Sequence, residues 1–181
     1  MTTLFVSDLH LSPDRPQQID LFLTFLDRVK ATADDLYILG DLFDVWIGDD
    51  DDTPPHEKII DALSTVSKAG VKLHIGRGNR DFLLGERFVR RTGARLLQDY
   101  EIISLYGQRT LLTHGDLLCT KDIKYQRFRK FVRNPLVRAI FLRAPLSWRR
   151  RIAFKTRSGT CLLYTSPSPR DATLSGMPAS G

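Results

Sequence analysis

The chain has 181 residues, 42% of them apolar, which is typical of one soluble globular domain with a sizeable core. No apolar run approaches the length of about 18 residues that a membrane span needs, and no basic segment precedes Asp8 as it would in a signal peptide. The two cysteines form neither a disulfide framework nor a zinc-ligand spacing, so a reducing, cytosolic location is expected.

The net charge of +6 is unevenly distributed. Residues 1–120 contain 13 basic and 19 acidic side chains, whereas residues 121–157 contain 13 basic side chains and Asp122 as the one acidic residue. We therefore predict an acidic body at residues 1–120 and a basic helical insertion at 121–158. Residues 159–181 lack a hydrophobic period and are rich in Ser, Gly, Ala and Pro, which predicts a disordered, non-native tail.

Short apolar runs alternate with helical patterns through the acidic body. The predicted strands lie at residues 4–6, 36–39 and 71–75. The predicted helices and hairpin turn lie at residues 19–29, 59–66, 82–91 and 106–108. Alternation of strand and helix predicts an α/β fold with βαβ units and a largely parallel sheet.

Polar residues directly follow four predicted strands. The four blocks are Asp8-Leu9-His10, Gly40-Asp41, Gly78-Asn79-Arg80-Asp81 and His114-Gly115-Asp116. Ligands of parallel sheets bind outside the carboxyl ends of the strands, so the four blocks are expected to converge at one rim. Asp8 and His10 are two residues apart and would point the same way from an extended backbone.

Carboxylate, amide and imidazole groups without a thiolate suit Mn²⁺, Fe²⁺, Mg²⁺ or Zn²⁺. Asp41 is placed to bridge two ions, with Asp8 and His10 on one and Asn79 and His114 on the other. Two such ions lie roughly 3.5–4 Å apart in phosphoryl-transfer sites.

Each block alone has an ordinary structural explanation. Asp8 and Asp41 suit turns, Asp81 suits a helix N-cap, and a lone His114 would more often be a partly buried histidine. Four blocks in order at strand ends favour metal binding instead. The remaining candidates are predicted to be structural or solvated: His56, His74, Arg77 and the run Asp49–Asp52.

The four blocks resemble the signature of calcineurin-like metallophosphoesterases. Segments 41–50, 78–85 and 114–120 are further similar to the family of UDP-2,3-diacylglucosamine pyrophosphatases of lipid A biosynthesis, over about residues 1–158. The resemblance implies a four-layer α-β-β-α sandwich with a helical lid, most of whose second sheet is expected to lie outside this chain. The superfamily also has a Gly-His-x-His element, but no histidine follows His114, so two ligands are expected to be absent and metal binding weaker.

The resemblance implies hydrolysis of the substrate's pyrophosphate to UMP and 2,3-diacylglucosamine 1-phosphate, with two Mn²⁺ ions, by an enzyme attached peripherally to the cytoplasmic face of the inner membrane. The implied metal ligands are Asp8, His10, Asp41, Asn79 and His114. The implied catalytic residues are Asn79 and Arg80, and Asp122 joins them in contacting substrate.

Arg80 stands where many members of the superfamily have a histidine that acts as an acid. A sugar-phosphate leaving group has a second pKa of roughly 6 and needs little protonation. Arg80 instead offers a permanent charge and a bidentate fork for phosphate.

The basic insertion interleaves its basic residues with Phe, Leu and Trp, a pattern typical of an anionic membrane surface contact or an acyl-chain lid. The basic residues assigned to this surface are Arg129, Lys130, Arg133, Arg138, Arg143 and Arg149–Arg151. Two alternatives remain: a metallophosphoesterase acting on nucleotides, nucleic acid or phosphoproteins, and a non-catalytic module binding membrane or nucleic acid. The regular spacing of Phe and Leu favours lipid over nucleic acid, and the sequence indicates no protein partner.

Overall fold

A four-stranded parallel sheet forms the centre of the acidic body. The computed structural model describes residues 2–118 and 120–163, except the side chains of 156–163. The strands, in spatial order, are β1 (Thr3–Val6), β2 (Asp35–Ile38), β3 (Lys72–Ile75) and β4 (Arg95–Leu96). The predicted α/β fold is confirmed; β4 was not predicted because two residues are too few to show a hydrophobic period.

Three helices connect these strands and cover the core. They are α1 (Pro16–Thr32), α2 (His56–Lys68) and α3 (Glu86–Thr92). Helices α1 and α2 bury the apolar faces that their periodicity predicts. The buried residues of these two faces are Ile19, Phe22, Leu26, Val29, Ile59, Ile60, Leu63 and Val66. Each contributes about 1.5–3 kcal/mol on burial, which fixes the sheet beneath the site.

A separate antiparallel hairpin follows the parallel sheet. It pairs β5 (Glu101–Leu105) with β6 (Gln108–Leu112), as predicted. Tyr106 and Gly107 form its two-residue turn with φ values of 51° and 82°, the positive values that tight hairpin turns require.

Three helices lie within residues 121–158 or begin there, the part of the chain predicted to be a basic helical insertion. They are α4 (Ile123–Val132), α5 (Pro135–Arg143) and α6 (Leu146–Leu163). Helix α6 passes the predicted boundary at residue 158, and residues 164–181 of the predicted tail lie outside the described residues. Among helices in the described part of the chain, none is both long and apolar enough to cross a bilayer.

Three residues of the acidic run Asp49–Asp52 anchor helix α6, and Asp49 accepts from Gly85 N at 3.0 Å and from Phe88 N at 3.1 Å, so the prediction of the run as a solvated loop was wrong. Arg149 is only 2% exposed, pairs with Asp50 and donates to the carbonyl oxygen of Ile47 at 2.7 Å. Arg150 pairs with Asp51 at 2.9 Å and with Asp52 at 2.8 Å. The run and its arginine partners are about a hundred residues apart in sequence, so local pattern could not reveal the pairing.

Candidate metal centre

The loops after β1 and β2 contain two aspartates and one histidine whose backbone conformations are unusual. Asp8, His10 and Asp41 have φ values of 54°, 45° and 53°, in the left-handed region. That region costs a residue with a side chain roughly 1–2 kcal/mol, and such strain clusters at functional sites. The prediction of an extended backbone at Asp8 and His10 was therefore wrong, although the two side chains do lie together.

The two loops hold each other in these conformations. The backbone N–H of Asp8 donates to Gly40 O at 3.1 Å, and that of His10 donates to Asp41 O at 2.9 Å. One ligand atom each from Asp8, His10 and Asp41 lies within 4.8 Å of the others. The structure thus groups three of the five predicted ligands around one point.

Asp41 also lies beside the other two predicted ligands. Its Oδ2 is 3.7 Å from His10 Nε2 on one side and 3.6 Å from His114 Nε2 on the other. His114 Nε2 is in turn 3.2 Å from Asn79 Oδ1. All five side chains therefore meet at the carboxyl ends of the strands, with Asp41 between two histidines.

The ring orientation of His114 leaves the correct nitrogen free for a metal. Its Nδ1 lies 3.1 Å from the carbonyl oxygen of Leu39, which can only accept, so Nδ1 carries the proton. Nε2 then presents a lone pair toward Asp41 and Asn79. A second ring nitrogen bonded to a backbone carbonyl is the usual arrangement of metal-binding histidines.

The donor set fits a divalent cation. The amide oxygen of Asn79 faces only acceptors, and Asp41 and His114 supply the acceptor atoms around it. Acceptors without a proton between them repel, and a cation among them satisfies all of them together. Without a cation, rotation of the Asn79 amide lets its NH₂ donate to Asp41 at 2.6 Å. The Nδ1 atom of His10 is a further buried polar atom without a hydrogen-bond partner among the described residues.

Burial makes Asp41 sensitive to the charges around it. Asp41 is 2% exposed, and burial raises the pKa of its carboxyl. The hydrogen bond from the Arg80 N–H and the charges of the two histidines act in the opposite direction and lower this pKa. The Arg80 N–H donates to Asp41 Oδ1 at 2.8 Å. A bound cation would favour the ionised form still further.

Asp81 supports the centre from beneath, a role that the sequence did not predict. Its buried carboxylate accepts from Gly78 N and Leu42 N at 2.8 Å each, and from Asp41 N at 3.3 Å. Burial, and then the charge of Asp41, raise the pKa of Asp81 to about 6. The prediction of Asp81 as a helix N-cap was wrong, because α3 begins five residues later with Gly85 at that position.

Two glycines allow the ligand loops to touch. A Cβ atom on Gly40, whose φ is 112°, would lie 2.8 Å from both Gly78 N and His114 Nδ1. A Cβ atom on Gly78 would lie 2.0 Å from Asp41 Oδ1. Glycine therefore permits the close approach of the loops at both positions.

The predicted substrate-binding residues occupy two places. Arg80 follows Asn79 directly, and its backbone is fixed at both ends, by Asp41 and by the Trp46 N–H that donates to its carbonyl oxygen at 3.2 Å. Asp122 instead caps helix α4, where its exposed carboxylate accepts from Tyr125 N at 2.9 Å. Arg77 is half-buried and donates to Leu84 O at 2.9 Å, so its prediction as a solvated loop charge was wrong.

A parallel βαβ sheet with carboxylate, amide and imidazole groups at its carboxyl edge is the arrangement expected of a metal-dependent phosphoesterase. The profile of the calcineurin-like phosphoesterase family matches residues 1–156, and the chain belongs to that family.

Similar proteins share one description, "UDP-2,3-diacylglucosamine hydrolase". The chain is 55% identical over 157 residues to the protein of Stenotrophomonas maltophilia, covering 87% of this chain and 63% of that one. It is 51% identical over 158 residues to that of Serratia proteamaculans, covering 87% and 66%. The protein of Aeromonas salmonicida is 50% identical over 157 residues, covering 87% and 62%. The chain thus spans somewhat less than two thirds of the length of these relatives.

Proposed function

We propose that this chain is a Mn²⁺-dependent hydrolase of the pyrophosphate bond of UDP-2,3-diacylglucosamine, releasing UMP and 2,3-diacylglucosamine 1-phosphate. The observation that carries the proposal is the position of Asp41, whose Oδ2 lies 3.7 Å and 3.6 Å from the histidines of two different loops. The names of the relatives support the substrate.

Five side chains would hold the two ions. Asp8, His10 and Asp41 form one subsite, and Asp41, Asn79 and His114 form the other. When bound, a pair of divalent ions supplies a nucleophilic water at neutral pH and neutralises the charge that develops on phosphate. Manganese accepts this mixture of oxygen and imidazole ligands.

Arg80 and Asn79 would orient the substrate. The loop that carries them is fixed by backbone hydrogen bonds to Asp41, Asp81 and Trp46, so little backbone freedom is lost when phosphate binds. The guanidinium of Arg80 provides two parallel donors to the pyrophosphate. Because a phosphate leaving group needs little protonation, the site requires no separate acid. We assign Asp122 to substrate contact at the start of helix α4.

The decisive assay follows UMP release from UDP-2,3-diacylglucosamine, with the S. maltophilia relative as positive control for the substrate. We expect release in Mn²⁺, its loss in excess EDTA, and recovery when Mn²⁺ is restored. Asp41→Asn should reduce the rate by at least about 100-fold, because it removes a charge shared by both subsites. Asp27→Asn, an exposed carboxylate on α1, is the matched control and should leave the rate unchanged.

Other outcomes of the same assay distinguish the alternatives. Hydrolysis of bis-p-nitrophenyl phosphate without UMP release would replace the substrate assignment with a more general phosphoesterase. Binding of Mn²⁺ without hydrolysis of either compound would favour a non-catalytic binding module.

We further propose that the basic insertion places the protein at the anionic cytoplasmic surface of the inner membrane. Helices α4 to α6 present large apolar side chains among their arginines and lysines, each more than half exposed. These side chains are Ile123, Phe128, Phe131, Leu136, Ile140, Trp148 and Phe154. Apolar contact and attraction to anionic lipid, at about 1 kcal/mol per basic residue near the surface, would act together.

Sedimentation with vesicles of phosphatidylglycerol and phosphatidylethanolamine tests this location. We expect Leu136→Ser to weaken binding about tenfold, since burying a leucine contributes at least about 1.5 kcal/mol. Leu21→Ser is the matched control, because Leu21 is equally exposed, at 71% against 74%, but lies on α1. Equal binding by the two variants would contradict the proposed membrane surface.

A further inference from the structure

Two arginines of helix α4 reach back to the loops that carry predicted metal ligands. Arg133 donates through Nη2 to Gly78 O at 2.8 Å and to Arg77 O at 3.3 Å, which are the two carbonyl groups before Asn79. Its Nη1 pairs with Asp99 at 2.5 Å. One guanidinium thereby fixes the backbone from which Asn79 projects.

Arg129 acts in the same way on the loop of His114. Its Nε pairs with Asp116 Oδ2 at 2.6 Å, two residues after His114, and its Nη2 pairs with Asp99 Oδ2 at 2.9 Å. Tyr125 OH donates to the same Asp116 carboxylate at 3.0 Å. Asp99 therefore joins the two arginines into one network that contacts both loops.

These contacts are largely sheltered from water. The side chains of Arg129 and Arg133 are 11% and 15% exposed, and that of Asp116 is 10% exposed. Hydrogen bonds to charged groups at sheltered positions contribute more than exposed pairs do. The prediction that Arg129 and Arg133 belong to the membrane-facing charge was therefore wrong, because both side chains point into the acidic body.

The two proposed subsites are held differently. Asp8 and His10 depend on the loop after β2, through Gly40 O and Asp41 O. Asn79 and His114 lie on the loops that Arg133 and Arg129 hold. Among the contacts of the described residues, the insertion fixes the backbone of the second subsite only.

We propose that Arg129 and Arg133 are positioning residues that set the metal affinity of the subsite formed by Asn79 and His114, and leave that of Asp8 and His10 unchanged. The inference rests on the proposed metal centre. Through these two arginines, docking of helix α4 and binding of a metal ion at this subsite depend on each other, because coupling between two equilibria is reciprocal. Arginine is required because two separate nitrogens of its planar fork contact the carboxylate and the two carbonyl groups, whereas the three donors of lysine share one nitrogen.

Mn²⁺ titration by isothermal calorimetry tests this coupling without any substrate. We expect Arg133→Lys to weaken one of the two binding events by about 10–100-fold, the usual effect of losing a group that orients a ligand. Arg127→Lys is the matched control, because Arg127 is exposed on the same helix. Asp99→Asn is a second variant, which breaks the network without touching either ligand loop.

The affected subsite is identified in two backgrounds. In His10→Ala, which leaves the Asn79 and His114 subsite, Arg133→Lys should retain its full effect. In His114→Ala, which leaves the Asp8 and His10 subsite, the effect should disappear. Far-UV circular dichroism of each variant confirms that the fold is kept.

Equal weakening in both backgrounds, or identical titrations of Arg133→Lys and Arg127→Lys, would overturn the positioning role. Failure of the unsubstituted chain to bind Mn²⁺ would instead refute the metal centre itself. Normal Mn²⁺ binding without UMP release would refute the proposed reaction and leave the positioning role intact.

Discussion

Replacing Gly78 with alanine should abolish Mn²⁺ binding at the centre. The new Cβ would lie 2.0 Å from Asp41 Oδ1 and 2.4 Å from Asp41 N, far inside contact distance. Asp41 cannot move away easily, because Arg80 N–H holds its carboxylate and Asp81 holds its backbone. The loops must therefore separate by an ångström or more. In an active site, a displacement of that size costs about 100-fold in the rate of the reaction, here UMP release.

Calorimetric Mn²⁺ titration and UMP release measure the effect of Gly78→Ala. Gly107→Ala is the control, since its φ of 82° brings backbone strain but nothing lies within 4 Å of the new Cβ. We expect both variants to lose some thermal stability and Gly78→Ala alone to lose the metal. Wild-type Mn²⁺ affinity in Gly78→Ala would show that Asp41 does not bind the ion in the conformation described.

Local sequence pattern predicted the parts of the fold that depend on local physics. Strands β1 to β3 and helices α1 and α2 follow from hydrophobic period, because burial of one face decides each element. The convergence of Asp8, Asp41 and Asn79 follows from a topological rule, since parallel strands end at one edge. His114 joins them from a separate hairpin, which the order of the four blocks indicated but no local rule required.

The parts that sequence did not predict depend on charges far apart along the chain. The sequence predicts that the acidic run Asp49–Asp52 is solvated, because it does not show that Arg149 and Arg150 lie beside this run in the fold. The sequence likewise predicts that Arg129 faces a membrane, whereas in the structure it pairs with Asp116. A charged side chain is compatible with either environment, and only the tertiary partner decides which one it occupies.

Asp81 is the clearest case of a charged residue whose environment the sequence did not predict. Its replacement is expected to cause the second large effect, a loss of stability. Asp81→Ala should destabilise the protein by several kcal/mol, because it leaves the buried N–H groups of Gly78, Leu42 and Asp41 without their acceptor. Each buried donor without a partner costs about 1–3 kcal/mol. The sum is a large fraction of the roughly 5–15 kcal/mol by which a domain is stable.

Urea denaturation monitored by circular dichroism measures this loss, and Mn²⁺ titration measures its consequence for the centre. Asp61→Ala is the control, with a carboxylate that is 77% exposed on α2, and it should change stability by no more than about 0.5 kcal/mol. Asp81→Asn separates the two roles of the group. It keeps one acceptor oxygen but turns an NH₂ group toward N–H donors, so we expect a folded chain with weakened Mn²⁺ binding. Wild-type affinity in Asp81→Asn would show that Asp81 supports the fold without positioning the ligand loops.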